Sequence, residues 1–189
     1  MNINKIVLIN LAKDKQRFEQ SRAELSKYGL DFKRIPGVLM TNRGKGFSEA
    51  MVKALKAIPK GGIIFEDDIE LDDFYIPDLP EGWDMLYFGA NLQEKTIPVD
   101  ENLVRVMGAW TTHAILYSEQ GVHKVLSQYD YEKDGIYDDW LKREFCRNNN
   151  CYLLTPMIAY QREGFSNIEQ KEASYREGFN ENYKKYTGR

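Results

Sequence analysis

An uninterrupted apolar run near the start of the chain, residues 5–11 (KIVLINL), sharply narrows the folds open to it. A strand with one solvated face alternates apolar and polar residues, whereas an unbroken run suits a strand covered on both faces. Such a strand needs helices on either side of its sheet. Residues 14–28 read as one, with Phe18, Leu25 and Tyr28 near a common face and Gly29 as the stop. Residues 31–35 read as a second strand, closed by Pro36 and Gly37. Residues 41–46 set Gly44 and Gly46 around Lys45 and read as a mobile loop. Residues 47–58 carry Phe47, Met51, Ala54, Leu55 and Ile58 at the helical period, and residues 59–62 (PKGG) turn into the strand Ile63-Ile64-Phe65. Further strands are expected at 83–88, 103–107 and 113–117, and further helices at 119–128 and 135–147. Residues 152–154 and 157–160 then finish the sheet around Pro156. Strands and helices alternate through the first half, so the expected fold is α/β with a mostly parallel central sheet. Ligands of such sheets sit beyond the carboxyl ends of the strands, which points to the loops after Ile9, Phe65 and Phe88.

With 189 residues, the chain is read as a single domain over 1–189, with 170–189 as a helical or flexible C-terminal tail. The formal net charge of -3 argues against an electrostatic grip on nucleic acid. Lys184 and Lys185 with Arg189 make a basic tail too short for a membrane-binding segment. Cys146 and Cys151 form no CxxC motif and have no His at metal-ligand spacing, so they read as reduced thiols. The apolar stretch after residues 1–5 is too short for a signal-peptide core or a transmembrane segment. The expectation is a cytoplasmic protein, with peripheral attachment to a membrane surface through a partner left open.

The segment from 61 to 74 (GGIIFEDDIELDDF) crowds Glu66, Asp67, Asp68, Glu70, Asp72 and Asp73 together after a buried strand. Like charges at this spacing repel, and desolvation at a strand end worsens the repulsion. A cation would relieve it. Mg²⁺ or Mn²⁺ takes oxygen ligands, usually one or two carboxylates completed by substrate phosphates, which a nucleotide diphosphate would supply. Glu66 and Asp68, two apart, could flank a metal and a ribose. The competing reading is a solvated acidic loop. A phosphoacceptor domain would place its acids after the first strand, and here a whole strand-helix-strand-helix unit comes first.

Taken in order, Val7 to Leu11 with Asp14 and Arg17, Ser48, the strand ending in Glu66-Asp67-Asp68, residues 108–118 and 136–141, and Pro156, Gln161 and Phe165-Ser166 resemble, over Ile6 to Ile168, glycosyltransferase family 25, the lipopolysaccharide and procollagen galactosyltransferases. Val7-Leu8-Ile9-Asn10-Leu11 with Asp14 and Arg17 is similar to that family's first strand and Arg-bearing helix. Ser48 matches a serine at the start of its second helix, but Glu49 stands where the family usually has His. Ile63-Ile64-Phe65-Glu66-Asp67-Asp68 resembles its strand ending in Glu-Asp-Asp. The segment 108–118 (GAWTTHAILYS) is similar to its glycine-led strand, and 136–141 (IYDDWL) to its later acidic motif. Pro156, Gln161 and Phe165-Ser166 resemble its closing signature. The resemblance implies a single-domain glycosyltransferase A-type, Rossmann-like fold. It also implies inverting transfer of a hexose, galactose or glucose, from a uridine diphosphate sugar to a glycan or lipid-linked glycan acceptor.

Under that reading Asp68 is the first expected metal ligand and Glu66 the second, helping metal or ribose, with Asp67 in support. Asp138 is the expected base, with Asp139 as its alternative; both also suit the first turn of a helix, where the dipole favours acids. On helical spacing both lie off the face of Ile136, Trp140 and Glu144. Asn10 and Leu11 would flank the nucleotide base, and Arg17 would reach a phosphate. His113, Trp110 and Tyr87 are each read either as ligand contacts or as structural groups, and His123 as a helix-surface residue. Two other functions are kept open. One is a catalytically degenerate module that binds a sugar nucleotide or glycan. The other is a nucleotidyltransferase, which would want a glycine-rich loop where residues 12–15 (AKDK) have none.

Overall fold

A computed structural model describes residues 5–166 and 170–188; residues 1–4, Ile168 and Arg189 lie outside the described residues. The chain runs β1 (Ile6–Asn10), α1 (Lys15–Ser26), β2 (Lys33–Pro36), α2 (Arg43–Ala57), β3 (Gly62–Glu66), β4 (Ile69–Leu71), β5 (Met85–Tyr87), β6 (Asn91–Leu92), β7 (Ile97–Pro98), β8 (Leu103–Arg105), β9 (Ala109–Trp110) and β10 (Ala114–Tyr117). It continues through α3 (Glu119–Gln128), α4 (Tyr131–Asp134), α5 (Tyr137–Trp140), a π-helical turn (Leu141–Phe145), α6 (Cys146–Asn148), β11 (Cys151–Leu154), β12 (Ala159–Gln161), β13 (Gly164–Ser166), β14 (Lys171–Ala173) and α7 (Arg176–Thr187).

The fold is α/β, built on an eight-stranded sheet of order β2-β1-β3-β10-β5-β11-β8-β7. It is compatible with a Rossmann-like arrangement. Pairings of β1 with β2 and β3, and of β5 with β11, are parallel. β10 runs antiparallel to both β3 and β5, and β8 to both β11 and β7, so the sheet is mixed where a mostly parallel one was expected. The first run, IVLIN, is buried throughout, as its lack of alternation predicts. Leu8, Ile63 and Phe65 pack with Leu25 of α1 on one face, while Val7, Ile9 and Ile64 pack with Met51, Ala54 and Leu55 of α2 on the other. The two crossovers therefore lie on opposite faces, and the order 2-1-3 puts a topological switch between β1 and β3.

Three local expectations are overturned. Residues 43–46 are helix, not a mobile loop: the Asn42 side chain accepts from the Lys45 N–H at 3.0 Å and caps α2. Gly46 is there for close approach, since a Cβ would sit 2.3 Å from the Val38 carbonyl oxygen. The last predicted strand does not finish the main sheet; β12 pairs instead with β4, with Gln161 opposite Ile69. The inward face of the 137–148 helix is Tyr137, Trp140, Leu141 and Phe145, whereas Ile136 is half-buried and Glu144 is exposed. The π turn shifts the angular position of later residues, so a 3.6-residue period misplaces Glu144.

The C-terminal segment resolves into α7, which packs on the body. Phe179 is buried against His113, with ring centroids 5.7 Å apart, and Asn182 donates to Asn91 Oδ1 at 2.7 Å. Arg176 at the start of this helix pairs with Glu70 and Asp72, both of which stay partly exposed. Among the described residues no helix is long and apolar enough to cross a membrane.

Candidate functional site

Strand direction assembles the site. The carboxyl ends of β1 and β3 deliver Asn10 and Glu66 to one edge of the sheet. β10 runs the opposite way, so its amino-terminal flank, Trp110 to His113, arrives at that same edge. The Glu66 N–H donates to the His113 carbonyl at 3.0 Å, and the Thr112 hydroxyl donates to Glu66 Oε1 at 2.6 Å. Thr111, immediately before Thr112, is held at φ 75°, a left-handed conformation costly for a β-branched residue and the kind of local strain that clusters at sites.

The three acids after β3 have separate fates. Asp67 is buried and accepts from Asn10 Nδ2 at 2.6 Å and Arg17 Nε at 2.8 Å, while its carbonyl accepts from Ser21 Oγ at 2.7 Å. Burial pushes its carboxyl above the ordinary value, and Arg17 works against that. Asp68 lies 3.2 Å from an Arg17 nitrogen through Oδ2, which also accepts from Gln161 Nε2 at 3.2 Å. Its backbone carbonyl accepts from the Arg162 N–H at 2.6 Å, a contact set up by the β4–β12 pairing. Asp68 Oδ1 is buried without a hydrogen-bond partner. Glu66 is pushed up to about 8, chiefly by burial and then by Asp68.

Two adjoining clefts open over this edge. The first encloses about 860 Å³, part of it open to solvent, and is walled by Asn10, Leu11, Arg17, Arg43 and the three strand-end acids. The second, about 930 Å³ by the same measure, is walled by Asn91, Trp110, Thr111, Asp138 and Asp139. They share Phe47, Glu66, Gln161 and Tyr175. Asp138 and Asp139 open α5, whose start is fixed by Ser48: its hydroxyl accepts from the Tyr137 N–H at 3.0 Å and donates to the Gly44 carbonyl at 2.8 Å. Burial, then the neighbouring Asp139, raises Asp138 to about 6. Asp139 accepts from Trp110 Nε1 at 3.0 Å, and Lys142 Nζ lies 3.8 Å from the Trp110 ring centroid.

Every predicted site residue (Asn10, Leu11, Arg17, Glu66, Asp67, Asp68, Asp138 and Asp139) thus lines one cleft or the other. Arg17 is not a free phosphate contact, because its guanidinium is engaged by Asp67 and Asp68. Tyr87 is buried in the core, 3.6 Å from Cys146 Sγ, and both cysteines are free and buried. His113 is fully buried with Nε2 3.2 Å from the Ala159 carbonyl, and burial lowers its pKa, so it serves structure. Thr112, Asn91, Tyr175 and Arg43 were missed by the sequence reading. Nothing local marks the first three. Asn42 ahead of the 47–58 period is a capping signal that would have set the helix start at Arg43.

Among the described residues no group of three or more His, Cys, Asp and Glu side chains is placed to hold a metal ion. The donor set fits the sparser mode, in which one or two carboxylates bind a cation completed by ligand phosphates: Asp68 has its unpaired Oδ1, with Glu66 on the same wall. Compared with known proteins, the chain matches no family model and no curated protein.

Proposed function

We propose that the protein is an inverting, metal-dependent hexosyltransferase of glycosyltransferase A-type fold, similar to family 25. It would move galactose or glucose from a uridine diphosphate sugar to a hydroxyl of a glycan or lipid-linked glycan. One observation carries the reading. The cleft with a free carboxylate oxygen on Asp68 meets, at Glu66, a second cleft whose Asp138 is tuned to about 6. That is the layout for a donor and an acceptor brought together at one point.

In this reading Asn10 and Leu11 flank the nucleoside, and Arg17 locks Asp67 so that Asp68 is held at the cleft wall. Asp68 and Glu66 would hold Mn²⁺ or Mg²⁺, which when bound supplies charge neutralisation for the leaving diphosphate. In the transfer step the acceptor oxygen forms a bond to the anomeric carbon while the bond from that carbon to the diphosphate oxygen breaks. Asp138 takes the acceptor's hydroxyl proton; a pKa of about 6 leaves it ionised at neutral pH yet basic enough to serve. Trp110, oriented by Asp139, offers an apolar face beside that proton acceptor.

A second reading, a non-catalytic sugar-nucleotide binder, draws on the Arg17 contact with Asp68 and on the lack, among the described residues, of a three-ligand cluster. A thermal-shift screen of sugar nucleotides with Mn²⁺, followed by assay of uridine diphosphate release, separates the two. Stabilisation by a uridine diphosphate hexose together with release supports the transferase; stabilisation with release at background across varied acceptors supports the binder. No stabilisation by any sugar nucleotide removes both.

A further inference from the structure

Three arginines line the first cleft, and two are occupied. Arg17 holds Asp67 and Asp68. Arg162 donates from Nη2 to the Ile69 carbonyl at 2.8 Å and from Nη1 to Gln20 at 3.4 Å. Arg43 is different: its Nη1 is buried and has no hydrogen-bond partner, and no carboxylate among the described residues pairs with it. A guanidinium stays charged and presents a rigid fork of N–H donors matched to carboxylate or phosphate. Leaving such a donor buried and unsatisfied is costly, more so for a charged group than a neutral one. The acids of the same cleft do not relieve it. Asp67 is held by Arg17 and Asn10, Asp68 Oδ2 by Arg17 and Gln161, and Glu66 Oε1 by Thr112, and the unpaired Asp68 Oδ1 makes no hydrogen bond to Arg43.

We infer that Arg43 binds a phosphate oxygen of the ligand in the first cleft, taking the role that the sequence assigned to Arg17. The inference rests on the sugar-nucleotide reading for the identity of that phosphate, the diphosphate of the donor. Arg43 is the first residue of α2, whose amino end adds a favourable field for an anion. The Asn42 side chain already satisfies the Lys45 N–H at this helix end.

The test is titration calorimetry of the full chain at constant Mg²⁺ with uridine, uridine diphosphate and inorganic pyrophosphate. Wild type binds the diphosphate at least about tenfold more tightly than uridine, and binds pyrophosphate. Arg43→Gln loses about tenfold for both phosphate-bearing probes and nothing for uridine. Arg43→Lys, which keeps the charge but not the fork and guards against a folding defect in Arg43→Gln, falls between. Lys45→Gln removes a charge from the same helical turn and leaves all three affinities unchanged. The inference is overturned if Arg43→Gln, folded like wild type, binds both phosphate probes at full strength. It is equally overturned if Lys45→Gln costs as much, or if wild type gains nothing from the diphosphate over uridine. Arg43-dependent pyrophosphate binding without any binding of uridine compounds would keep the inference and remove the sugar-nucleotide reading.

Discussion

Asp67–Asp68 and Asp138–Asp139 are two pairs of adjacent aspartates on the two sides of one site, and their surroundings divide the labour between them. Asp67 and Asp68 follow a buried strand and face Arg17, which bridges both. Asp138 and Asp139 open a short helix, and Asp138 has burial and its neighbour raising its pKa, opposed by backbone N–H groups and, more weakly, Lys142. A carboxylate fixed by a guanidinium and an amide is suited to holding position. Burial raises Asp67 as well, but Arg17 opposes that, whereas Asp138, opposed mainly by backbone N–H groups, sits at about 6 and is suited to exchanging a proton. Residue type alone does not distinguish these roles; the partner does.

The sharpest way to break this comparison is Asp138→Asn. Loss of a general base predicts a fall in turnover of about 10²–10⁴-fold with donor affinity little changed. In wild type the rate should rise with pH through about 6, the acid limb of Asp138. Stability provides an independent check. The folded pKa of about 6 lies above the ordinary 3.8, so the folded state binds this proton more tightly than the unfolded chain does. That contribution is full below the ordinary value and is lost as pH rises through about 6, amounting to no more than about 3 kcal/mol. Asp138→Asn should abolish this slope in denaturant titrations across that window. An unchanged slope would mean Asp138 is not proton-coupled to folding.

Arg17→Ala addresses the other pair. It strands Asp67, whose side chain is 10% exposed, without its cation, and should cost about 2–3 kcal/mol by urea unfolding. The effect should shrink at low pH, where the stranded carboxyl is protonated. A cost near zero would mean that Asp67 is neutral in the fold and that the two pairs do not differ as argued. Smaller still is Ser48→Ala, which removes the acceptor for the Tyr137 N–H. About 1 kcal/mol of stability should be lost, with turnover falling more than donor affinity, because the change displaces Asp138 and not the first cleft.

How far the sequence reached follows the same division. Local patterns set β1, β3 and most helices, because unbroken apolar runs and the helical period report burial directly. Grouping of the strand-end acids was legible as well, since they are adjacent in the chain. The direction of β10 was not: antiparallel and parallel buried strands carry the same apolar composition, so the arrival of Thr112 beside Glu66 had no local signature. Gly44 and Gly46 misled because glycine serves both mobility and close packing, and only the neighbouring Val38 and Ile136 decide which. Arg17 was placed correctly on its helix, but its pairing with Asp67, which spans 50 positions, was not legible.

The central claim, that the two clefts bring a sugar nucleotide to a tuned base, is tested most directly by one comparison. Wild-type protein and Asp68→Ala are incubated with a uridine diphosphate hexose and Mn²⁺, and released uridine diphosphate is followed with time. The account predicts steady release by wild type and its loss in Asp68→Ala, with the variant still folded. Release that is equal in the two proteins, or no binding of any sugar nucleotide by wild type with or without metal, would contradict it.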